Sequence, residues 1–361
     1  MQDVIVGLAE RQYPIAIGGD CLEALGPRVR EALPKCDRLL VITNPELGRL
    51  HANKVTRSLQ KAAVAAEVMG IPEGEQHKSL RTVEEIWDHL IQHGYTRQSV
   101  LLALGGGVVG DITGFAAACY MRGIAFIQVP TTLLAMVDSS VGGKTGVNHP
   151  RAKNTIGAFW QPKLVFIDIG FVRTLPTEEF RSGFAEVIKH GVIRDASYFE
   201  YLENHLDLIF AQNDRTMIRL VEGSCRIKAE VVAQDERESG LRAILNFGHT
   251  LGHAVEVLSE YGNLRHGYAV SIGMVAAAGI AERLGMVGAD FTSRLKSLLE
   301  FSGLPVHFPA LDDEAVMDRL RTDKKVRDGR VRFVLPVRMG EVAIRDDVPP
   351  EVILEVIRAM K

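Results

Sequence analysis

The chain has 361 residues, of which 47% are hydrophobic and 24% charged, and this balance excludes a disordered or fibrous protein. Its formal net charge is −3, so there is no broad positive field to attract nucleic acid or an anionic membrane surface. No stretch approaches the roughly 18 consecutive apolar residues that a membrane span requires. We therefore expect a protein that binds neither nucleic acid nor a membrane. Its length favours two domains over a single core.

Two features predict a cytoplasmic location. The first residues carry acidic side chains and no long apolar run, so no signal peptide is expected. The cysteines are scattered without the spacing of a metal site and are expected to be reduced thiols: Cys21, Cys36, Cys119 and Cys225.

Residues 1–178 are predicted to form an α/β domain. Short apolar strands alternate with helices, which is the pattern of a parallel sheet covered by helices. The predicted helices include 55–65 and 79–93, with Ser79 as the N-cap of the second. The predicted strands are 13–17, 38–43, 66–69, 99–104, 125–129 and 164–168.

Residues 179–361 are predicted to form a mainly α-helical domain, because helical periodicity replaces the short apolar runs. One strand is expected at 331–335. The predicted helices are 179–191, 198–210, 214–235, 241–260, 268–284 and 290–302.

A glycine-rich segment, Gly105 to Asp111, follows a predicted strand and precedes a helix, as a dinucleotide-binding loop does. Glycines let the backbone approach a pyrophosphate, and the start of the helix supplies N–H donors. The carboxylate that would bind a ribose about 20 residues later is missing from 124–131. The segment therefore predicts a phosphate loop rather than an ordinary Rossmann half, with a ligand-free glycine turn as the alternative.

A second cluster combines Asp138 with three glycines around Lys144, namely Gly142, Gly143 and Gly146, and Lys153 follows shortly after. Lysine is a mobile point charge suited to phosphate. We interpret the cluster as a ligand-binding loop, with a solvated loop as the alternative.

A polar stripe is predicted on an otherwise apolar helix. Arg242, Asn246, His249 and His253 are spaced four, three and four residues apart, which places them on one helical face. Burying such groups without partners would cost roughly 2–7 kcal/mol each, so they need a ligand, a metal or one another. Gly248 and Gly252 lack side chains, so another group can approach this helix closely.

Glu186, His249 and His266 together offer one carboxylate and two imidazoles, the donor set of a catalytic divalent metal. The spacing leaves alternatives open. Glu186 and Lys189 could form a surface ion pair on their helix, and His190 and His253 are rival ligands.

Five motifs occur in order along the chain: Glu-Gly-Glu-Gln-x-Lys, Gly-Gly-Gly-Val-Val-Gly-Asp, Pro-Thr-Thr-Leu-Leu-Ala-Met-Val-Asp-Ser-Ser-Val-Gly-Gly-Lys, Phe-Ala-Glu-Val-Ile-Lys and Leu-Asn-Phe-Gly-His-Thr-Leu-Gly-His-Ala. On these motifs the chain resembles the 3-dehydroquinate synthase family of the sugar phosphate cyclase superfamily, from about Val4 to its end. The resemblance implies a Rossmann-like α/β nucleotide-binding domain, a helical metal-binding domain, and a homodimer.

The resemblance also implies an activity. It is the conversion of 3-deoxy-D-arabino-heptulosonate 7-phosphate to 3-dehydroquinate and phosphate, the second step of the shikimate pathway towards chorismate and the aromatic amino acids. The expected enzyme is a carbon–oxygen lyase with catalytic NAD and one divalent metal, zinc or cobalt. The expected steps are oxidation by NAD, β-elimination of phosphate, reduction, ring opening and an intramolecular aldol addition.

Residue roles follow from the same resemblance. The implied metal ligands are Glu186, His249 and His266. The residues expected to line NAD are Asn44, Glu73, Gly74, Glu75, Gln76, His77, Lys78, Gly105, Gly106, Gly107, Val108, Val109, Gly110, Asp111, Thr131, Thr132, Lys144, Lys153, Phe171, Val172, Arg173 and Thr174. The residues expected to act on substrate are Asp138, Lys144, Lys189, Lys228, Arg242, Asn246, His253 as a proton relay, one of Lys324 and Lys325, and Arg122, which is expected to reach the substrate phosphate of a neighbouring subunit.

Three rival functions are set against this one. A 2-deoxy-scyllo-inosose or valiolone synthase would share NAD, metal and most steps, but its substrate lacks the carboxylate that Lys228 and Arg242 would hold. A polyol or glycerol-phosphate dehydrogenase would release NADH at every turnover. A catalytically inactive scaffold would not need Glu186, His249 and His266.

Overall fold

The computed structural model of the protein describes residues 1–259, 264–321 and 331–361, so Lys324 and Lys325 lie outside the described residues. The chain forms two compact units. The first comprises Met1–Leu175 and Asp214–Arg237, and the second comprises Pro176–Asn213 and Glu238–Lys361. None of the described helices has both the length and the apolar content needed to cross a membrane.

The secondary structure alternates in the first unit and is mainly helical in the second, which confirms the predicted fold class. The described strands are β1 (Gln2–Val6), β2 (Tyr13–Gly18), β3 (Arg38–Thr43), β4 (Ala65–Gly70), β5 (Val100–Gly105), β6 (Ala125–Pro130), β7 (Lys144–His149), β8 (Ala152–Phe159), β9 (Leu164–Asp168), β10 (Phe333–Arg338) and β11 (Glu341–Arg345). The described helices are α1 (Leu25–Ala32), α2 (Pro45–Leu47), α3 (Asn53–Lys61), α4 (Leu80–Gln92), α5 (Gly107–Cys119), α6 (Thr177–Arg194), α7 (Ala196–Asn204), α8 (Leu206–Phe210), α9 (Asp214–Gln234), α10 (His249–Leu258), α11 (His266–Arg283), α12 (Ala289–Phe301), α13 (Asp313–Arg321) and α14 (Pro350–Met360).

A seven-stranded sheet in the order β1-β2-β9-β6-β5-β3-β4 forms the centre of the first unit. The strands pair in parallel, apart from the antiparallel pairing of β1 with β2. Every residue of β5 and β9 is buried, which explains why these strands are continuous apolar runs rather than alternating ones. On one side of the sheet, Ile86 of α4 and Ile112 of α5 join the core formed with Leu40 and Phe126.

The strand order reverses direction at β3. The chain passes from β3 outward to β4, and then continues with β5 on the opposite side of β3. In open parallel sheets, ligands bind beyond the carboxyl ends of the strands at such a reversal. The residues that follow β3 and β5 are Asn44 and Gly106, and both were predicted to contact a nucleotide.

Helix α9 packs in the first unit, whereas the sequence-based division at residue 178 assigned it to the second. Its apolar face, which includes Leu220 and Val221, lies against β1, β2 and the short helical turn Ala135–Ser139. Helical periodicity identifies the apolar face of a helix but not the element that covers it. The helix itself was predicted almost to the residue.

The single helix predicted over 241–260 is wrong. Leu241–Asn246 forms a 3₁₀ turn, Phe247 and Gly248 form a turn, and α10 begins only at His249. Gly248 supplies the break, because its φ of 77° lies in the left-handed region that favours glycine. Arg242 and Asn246 therefore precede α10 instead of continuing its face.

Three glycines bring α6, α10 and α11 into backbone contact. A Cβ placed on Gly273 of α11 would lie 1.8 Å from the carbonyl oxygen of Gly248, and a Cβ on Gly267 would lie 1.9 Å from that of Ser182 in α6. A Cβ on Gly252 of α10 would lie 2.9 Å from the carbonyl oxygen of Ala269. The group that approaches α10 at its glycines is thus a neighbouring helix.

Replacing Gly273 with alanine tests this packing. The added Cβ cannot fit beside the Gly248 carbonyl, so the helices must separate, at a cost of about 1–3 kcal/mol for a core overpacked in this way. We expect a lower apparent Tm and weaker binding of a divalent metal.

Gly279→Ala on the same helix is the matched control. Its Cβ would meet only a side-chain atom, Val356 Cγ1, at 3.2 Å, and alanine favours a helix by about 0.5–1 kcal/mol. Equal Tm and metal binding in the two variants would contradict the close-packing account.

Candidate metal centre and nucleotide-binding loops

Glu186, His249 and His266 converge in the second unit. Glu186 is fully buried on α6, and His249 and His266 are the first residues of α10 and α11. The Nε2 atoms of both histidines lie 3.6 Å from Glu186 Oε1, and one ligand atom of each residue lies within 4.8 Å of the other two. One carboxylate oxygen and two imidazole nitrogens at this spacing fit a divalent metal with an open coordination position.

The second ring nitrogen of each histidine also has a partner. His249 Nδ1 lies 3.0 Å from the Phe247 carbonyl oxygen, and His266 Nδ1 lies 3.3 Å from Glu256 Oε2. A proton on each Nδ1 leaves Nε2 as the ligating atom. The arrangement therefore fits a metal centre whose ligands are held in one orientation.

The surroundings of the centre shift the pKa values of the two imidazoles in opposite directions. Burial and the nearby ammonium of Lys189 hold the pKa of His249 well below its ordinary value, so this ring is neutral and ready to ligate. Burial also acts to lower the pKa of His266, but the nearby carboxylates of Glu186 and Glu256 outweigh it and raise that pKa to about 10. Lys189 contacts Glu186 one helical turn away, so the buried carboxylate has a counter-charge.

The rival ligand His253 belongs to an overlapping group. Its ligand atom converges with those of Glu256 and His266, and its ring centroid lies 5.3 Å from that of His249. His190, the other rival, is fully buried on α6. The surface ion pair considered for Glu186 and Lys189 is wrong, since both side chains are almost entirely buried.

Arg242 and Asn246 lie on the 3₁₀ turn before α10. Arg242 is only 2% exposed, and Asn246 Nδ2 donates to Glu238 Oε1 at 2.8 Å. Both belong to the unit that holds the three ligating residues, although not through the helical face that the sequence predicted.

The predicted phosphate loop lies where β5 meets α5. Gly106 is the N-cap of α5, and its Cβ would lie 3.2 Å from Thr132 Cγ2. A Cβ on Gly107 would lie 3.0 Å from Ser139 Oγ, so glycine lets this turn pass close to the segment after β6. The N–H groups of the first turn of α5 are donors of the kind that bind phosphate.

Two threonines fit a polar ligand at this edge of the sheet. Thr43 ends β3 and Thr131 follows β6, and both are nearly fully buried. Within the described part of the chain, the hydroxyl oxygen of neither has a hydrogen-bond partner. A buried hydroxyl of this kind needs a partner, which a bound nucleotide could provide.

The segment Glu73 to Lys78 is tied to the hairpin β7–β8. Lys78 Nζ contacts Asp111 Oδ2 at 2.7 Å and donates to Asn154 Oδ1 at 2.6 Å, and Asn148 Nδ2 donates to Glu75 Oε1 at 2.6 Å. Burial raises the pKa of Asp111, and Lys78 opposes that shift. Several predicted nucleotide contacts are thus connected to one another.

The expected loop after Asp138 is largely a hairpin, which corrects the sequence interpretation. Lys144 begins β7, and Lys153 lies in β8, which pairs antiparallel with β7. Both lysines are exposed. The strands were missed because glycines and polar residues interrupt their apolar pattern.

Asp138 and Lys228, both predicted to hold substrate, meet in the first unit. Lys228 Nζ lies 2.5 Å from both the backbone oxygen and Oδ1 of Asp138. Lys228 is buried on α9, so the carboxylate fixes the position of its ammonium.

The remaining predicted residues are spread over the first unit. Phe171 and Val172 are buried, and Thr174 is exposed. Arg173 forms ion pairs with Asp20 at 2.9 Å and Asp214 at 2.7 Å. Arg122 is exposed in a turn where its own φ is 67° and that of Met121 is 48°.

Sequence reasoning missed Glu256. The spacing of His249, His253 and Glu256 is i, i+4 and i+7, which is one face of α10. Extending the polar stripe by one further turn would have found it.

Solved structures with the same fold place the chain in a class. It is similar to 2-epi-5-epi-valiolone synthase from Streptomyces hygroscopicus subsp. jinggangensis 5008 with NAD⁺ and Zn²⁺ bound, with 28% identity, 96% of each chain covered and a TM-score of 0.88. It is also similar to a 2-deoxy-scyllo-inosose synthase complexed with carbaglucose-6-phosphate, NAD⁺ and Co²⁺, with 26% identity, 100% of each chain covered and a TM-score of 0.90. The fold is therefore that of the sugar phosphate cyclases.

The sequence comparisons define the family within that class. The model for the 3-dehydroquinate synthase N-terminal region matches residues 68–182, and that for the C-terminal region matches residues 183–326. A 3-dehydroquinate synthase from Synechococcus sp. (strain ATCC 27144 / PCC 6301 / SAUG 1402/1) is 49% identical over 359 residues, which cover 98% of both chains. The chain belongs to the 3-dehydroquinate synthase family, as its motifs predicted.

Replacing His249 with alanine tests the metal centre. The variant loses one of three ligands and should bind Zn²⁺ at least about 100-fold more weakly, with its far-UV circular dichroism unchanged. Metal content after dialysis, measured by mass spectrometry, and a competition titration give the affinity.

His307→Ala, at an exposed position of the second unit, is the matched control and should bind one full equivalent. A full equivalent at parental affinity in His249→Ala would reassign the ligand to His253 or His190.

Proposed function

We propose that the chain is a 3-dehydroquinate synthase that releases phosphate from 3-deoxy-D-arabino-heptulosonate 7-phosphate, and so is a carbon–oxygen lyase of the shikimate pathway. The observation that carries the proposal is the convergence of Glu186, His249 and His266 on three helices of the second unit. Family membership supports it, since the motifs of the family include Glu186 and His249, and the resemblance implies His266 as the third ligand.

Glu186 Oε1 and the Nε2 atoms of His249 and His266 would hold the metal. Their fit rests on the convergence of the three atoms and on the partners of the two Nδ1 atoms. When bound, Zn²⁺ or Co²⁺ supplies Lewis acidity that acidifies a substrate hydroxyl. Lys189 contacts the Glu186 carboxylate, and its ammonium can also bind a negatively charged oxygen of the substrate.

The edge of the sheet beyond β3, β5 and β6 would hold NAD. The backbone N–H groups at the start of α5 would bind the pyrophosphate, and the buried hydroxyls of Thr43 and Thr131 would gain partners. When bound, NAD supplies the hydride acceptor for the oxidation and the donor for the later reduction. Asn44 Oδ1 accepts a hydrogen bond from Leu47 N, which fixes its side chain at the same edge.

The cations named above suit a substrate that has both a carboxylate and a phosphate. The planar guanidinium of Arg242 can bind a carboxylate with two parallel hydrogen bonds. Lys228, whose ammonium Asp138 orients, is likewise suited to a carboxylate. Lys144 and Lys153 are point charges suited to phosphate. The leaving phosphate can itself accept the proton that the substrate loses in β-elimination. The protein therefore needs cations that stabilise the developing negative charge, and no side chain is required as the base for this step.

His253 is proposed to relay protons. It lies one turn after His249 on the same face of α10, and an imidazole can exchange protons near neutral pH. It can thus protonate and deprotonate substrate hydroxyls during ring opening and aldol closure.

A turnover assay tests the proposal. Purified protein with Zn²⁺, the heptulosonate phosphate and NAD at one tenth of the substrate concentration should release one phosphate per substrate, because NAD is regenerated in each cycle. Phosphate is measured colorimetrically, and NADH by its absorbance.

The rival functions predict other outcomes. Accumulation of NADH with a polyol would indicate a dehydrogenase, and turnover only of a hexose phosphate without a carboxylate would indicate another cyclase. Absence of phosphate release from metal- and NAD-loaded protein would rule out the proposed reaction.

We further propose a homodimer in which Arg122 reaches the substrate phosphate of the partner's site. The exposure of Arg122, in a turn that places two successive non-glycine residues at positive φ, supports this role. Such backbone conformations cost about 1–3 kcal/mol each and are concentrated at functional sites.

Subunit mixing tests the dimer. Arg122→Ala should lower kcat/KM at least about tenfold because one phosphate cation is lost, and His249→Ala should be inactive. Mixing equal amounts under exchange should restore about one quarter of the parental activity, because each mixed dimer has one complete site.

Native mass spectrometry measures the mixed dimer, and the double variant Arg122→Ala/His249→Ala mixed with Arg122→Ala is the control. If mixed dimers form without recovery of activity, Arg122 acts within its own subunit or not at all.

The state of the thiols supports a cytoplasmic location. None of the four cysteines forms a disulfide, and all four lie within the described residues. Such use of cysteine is typical of a reducing compartment.

A further inference from the structure

Glu256 lies on α10 and contacts His266 of the candidate metal centre. Its Oε2 atom is 3.3 Å from His266 Nδ1, on the side of the ring opposite Nε2, which faces Glu186 Oε1 at 3.6 Å. The His266 ring therefore has a carboxylate at each nitrogen. Glu186 Oε1 lies at the same distance, 3.6 Å, from His249 Nε2.

The placement of Glu256 follows from the register of α10. His249 is the first residue of the helix, and Glu256 lies seven residues later, two turns along the same face. Gly252 lets α10 pass close to Ala269 of α11, the helix that His266 begins. The carboxylate thus reaches a histidine that belongs to another helix.

We propose that Glu256 is a positioning residue for the metal centre: it accepts the Nδ1 proton of His266 and so directs Nε2 towards the ion. This inference rests on the proposed metal centre of Glu186, His249 and His266. A neutral imidazole carries its proton on either nitrogen, and only the tautomer with the proton on Nδ1 leaves Nε2 able to ligate. The backbone oxygen of Phe247 holds His249 in the same way.

A second effect is electrostatic. The ammonium of Lys189 contacts the Glu186 carboxylate and therefore weakens the attraction of that carboxylate for a metal cation. Glu256 adds a carboxylate next to His266 without occupying the nitrogen that faces the ion. Partners of this kind typically contribute 10–100-fold to metal affinity.

The overlapping group of His253, Glu256 and His266 provides the competing interpretation. The ligand atoms of these residues also lie within 4.8 Å of one another, so Glu256 could bind a metal directly. In the proposed arrangement Glu256 faces Nδ1, the protein binds one ion, and Glu256 is not a ligand.

Metal titration of Glu256→Ala and Glu256→Gln tests the role. Metal-free protein is titrated with Zn²⁺ against a chromogenic chelator, and the visible spectrum of the Co²⁺-loaded protein is recorded. The alanine variant should bind one equivalent about 10–100-fold more weakly, with a changed Co²⁺ spectrum. Glutamine keeps an oxygen that accepts from Nδ1, so it should recover most of the affinity and the parental spectrum.

Glu200→Ala is the matched control, because Glu200 is an exposed glutamate of the same unit, and it should leave affinity and spectrum unchanged. The thermal midpoint of each metal-free variant reports on folding separately. Parental affinity and spectrum in Glu256→Ala would overturn the proposal, as would a glutamine variant as weak as the alanine variant. A fall from two bound equivalents to one would overturn it in favour of direct ligation.

His249→Ala separates the two levels of inference. If it abolishes metal binding while Glu256→Ala does not weaken it, the metal centre stands and only the role of Glu256 fails. If His249→Ala also binds at parental affinity, the proposed centre itself fails.

Discussion

The contact of helix backbones at glycine is the constraint on which the metal centre depends. Gly273 meets the carbonyl of Gly248, and Gly267 meets that of Ser182, so α11 lies against both α10 and α6 without intervening side chains. His249 and His266 are the first residues of their helices, and their positions are therefore set by where those helices begin. Larger residues at the glycines would move the imidazoles away from Glu186 before changing any ligand.

Much of the fold and of the candidate site could be predicted from the sequence. The features that were missed were missed for physical reasons. Continuous apolar runs predicted β3, β5 and β9, because strands covered on both faces need no polar residues. The residue types left His253 and His190 as rival ligands, and only the resemblance to the family selected His249 and His266. The break at Gly248 was missed because a spacing of four, three and four residues remains helical whether or not the helix is continuous. Glu256 was missed because the predicted polar stripe was ended at His253, although the helical spacing continues to Glu256.

Buried lysines recur in both units, and each contacts a carboxylate. Lys78 pairs with Asp111 and Lys228 with Asp138 in the first unit, and Lys189 pairs with Glu186 in the second. Pairs of this kind contribute little net stability, because desolvation offsets the attraction between the charges. What they provide is an ammonium group held in one position before an anion arrives, so less ordering is needed when substrate or cofactor binds. Replacing either the lysine or the carboxylate would leave the other charge buried and uncompensated. Variants that test function are therefore most informative when they leave both members of each pair in place.

The chain runs through the two units in four segments, and this has a consequence for biosynthesis. Helix α9 covers β1 and β2, yet Pro176–Asn213, which belongs to the other unit, separates it from the sheet in sequence. Synthesis must therefore reach residue 237 before the sheet of the first unit can be fully covered, although the last strand of that sheet ends at Asp168. Until then the apolar surface beneath α9 is open to water and to chaperones. A fragment that ends at Leu175 lacks α9 and would leave the surface that α9 covers on β1 and β2 exposed.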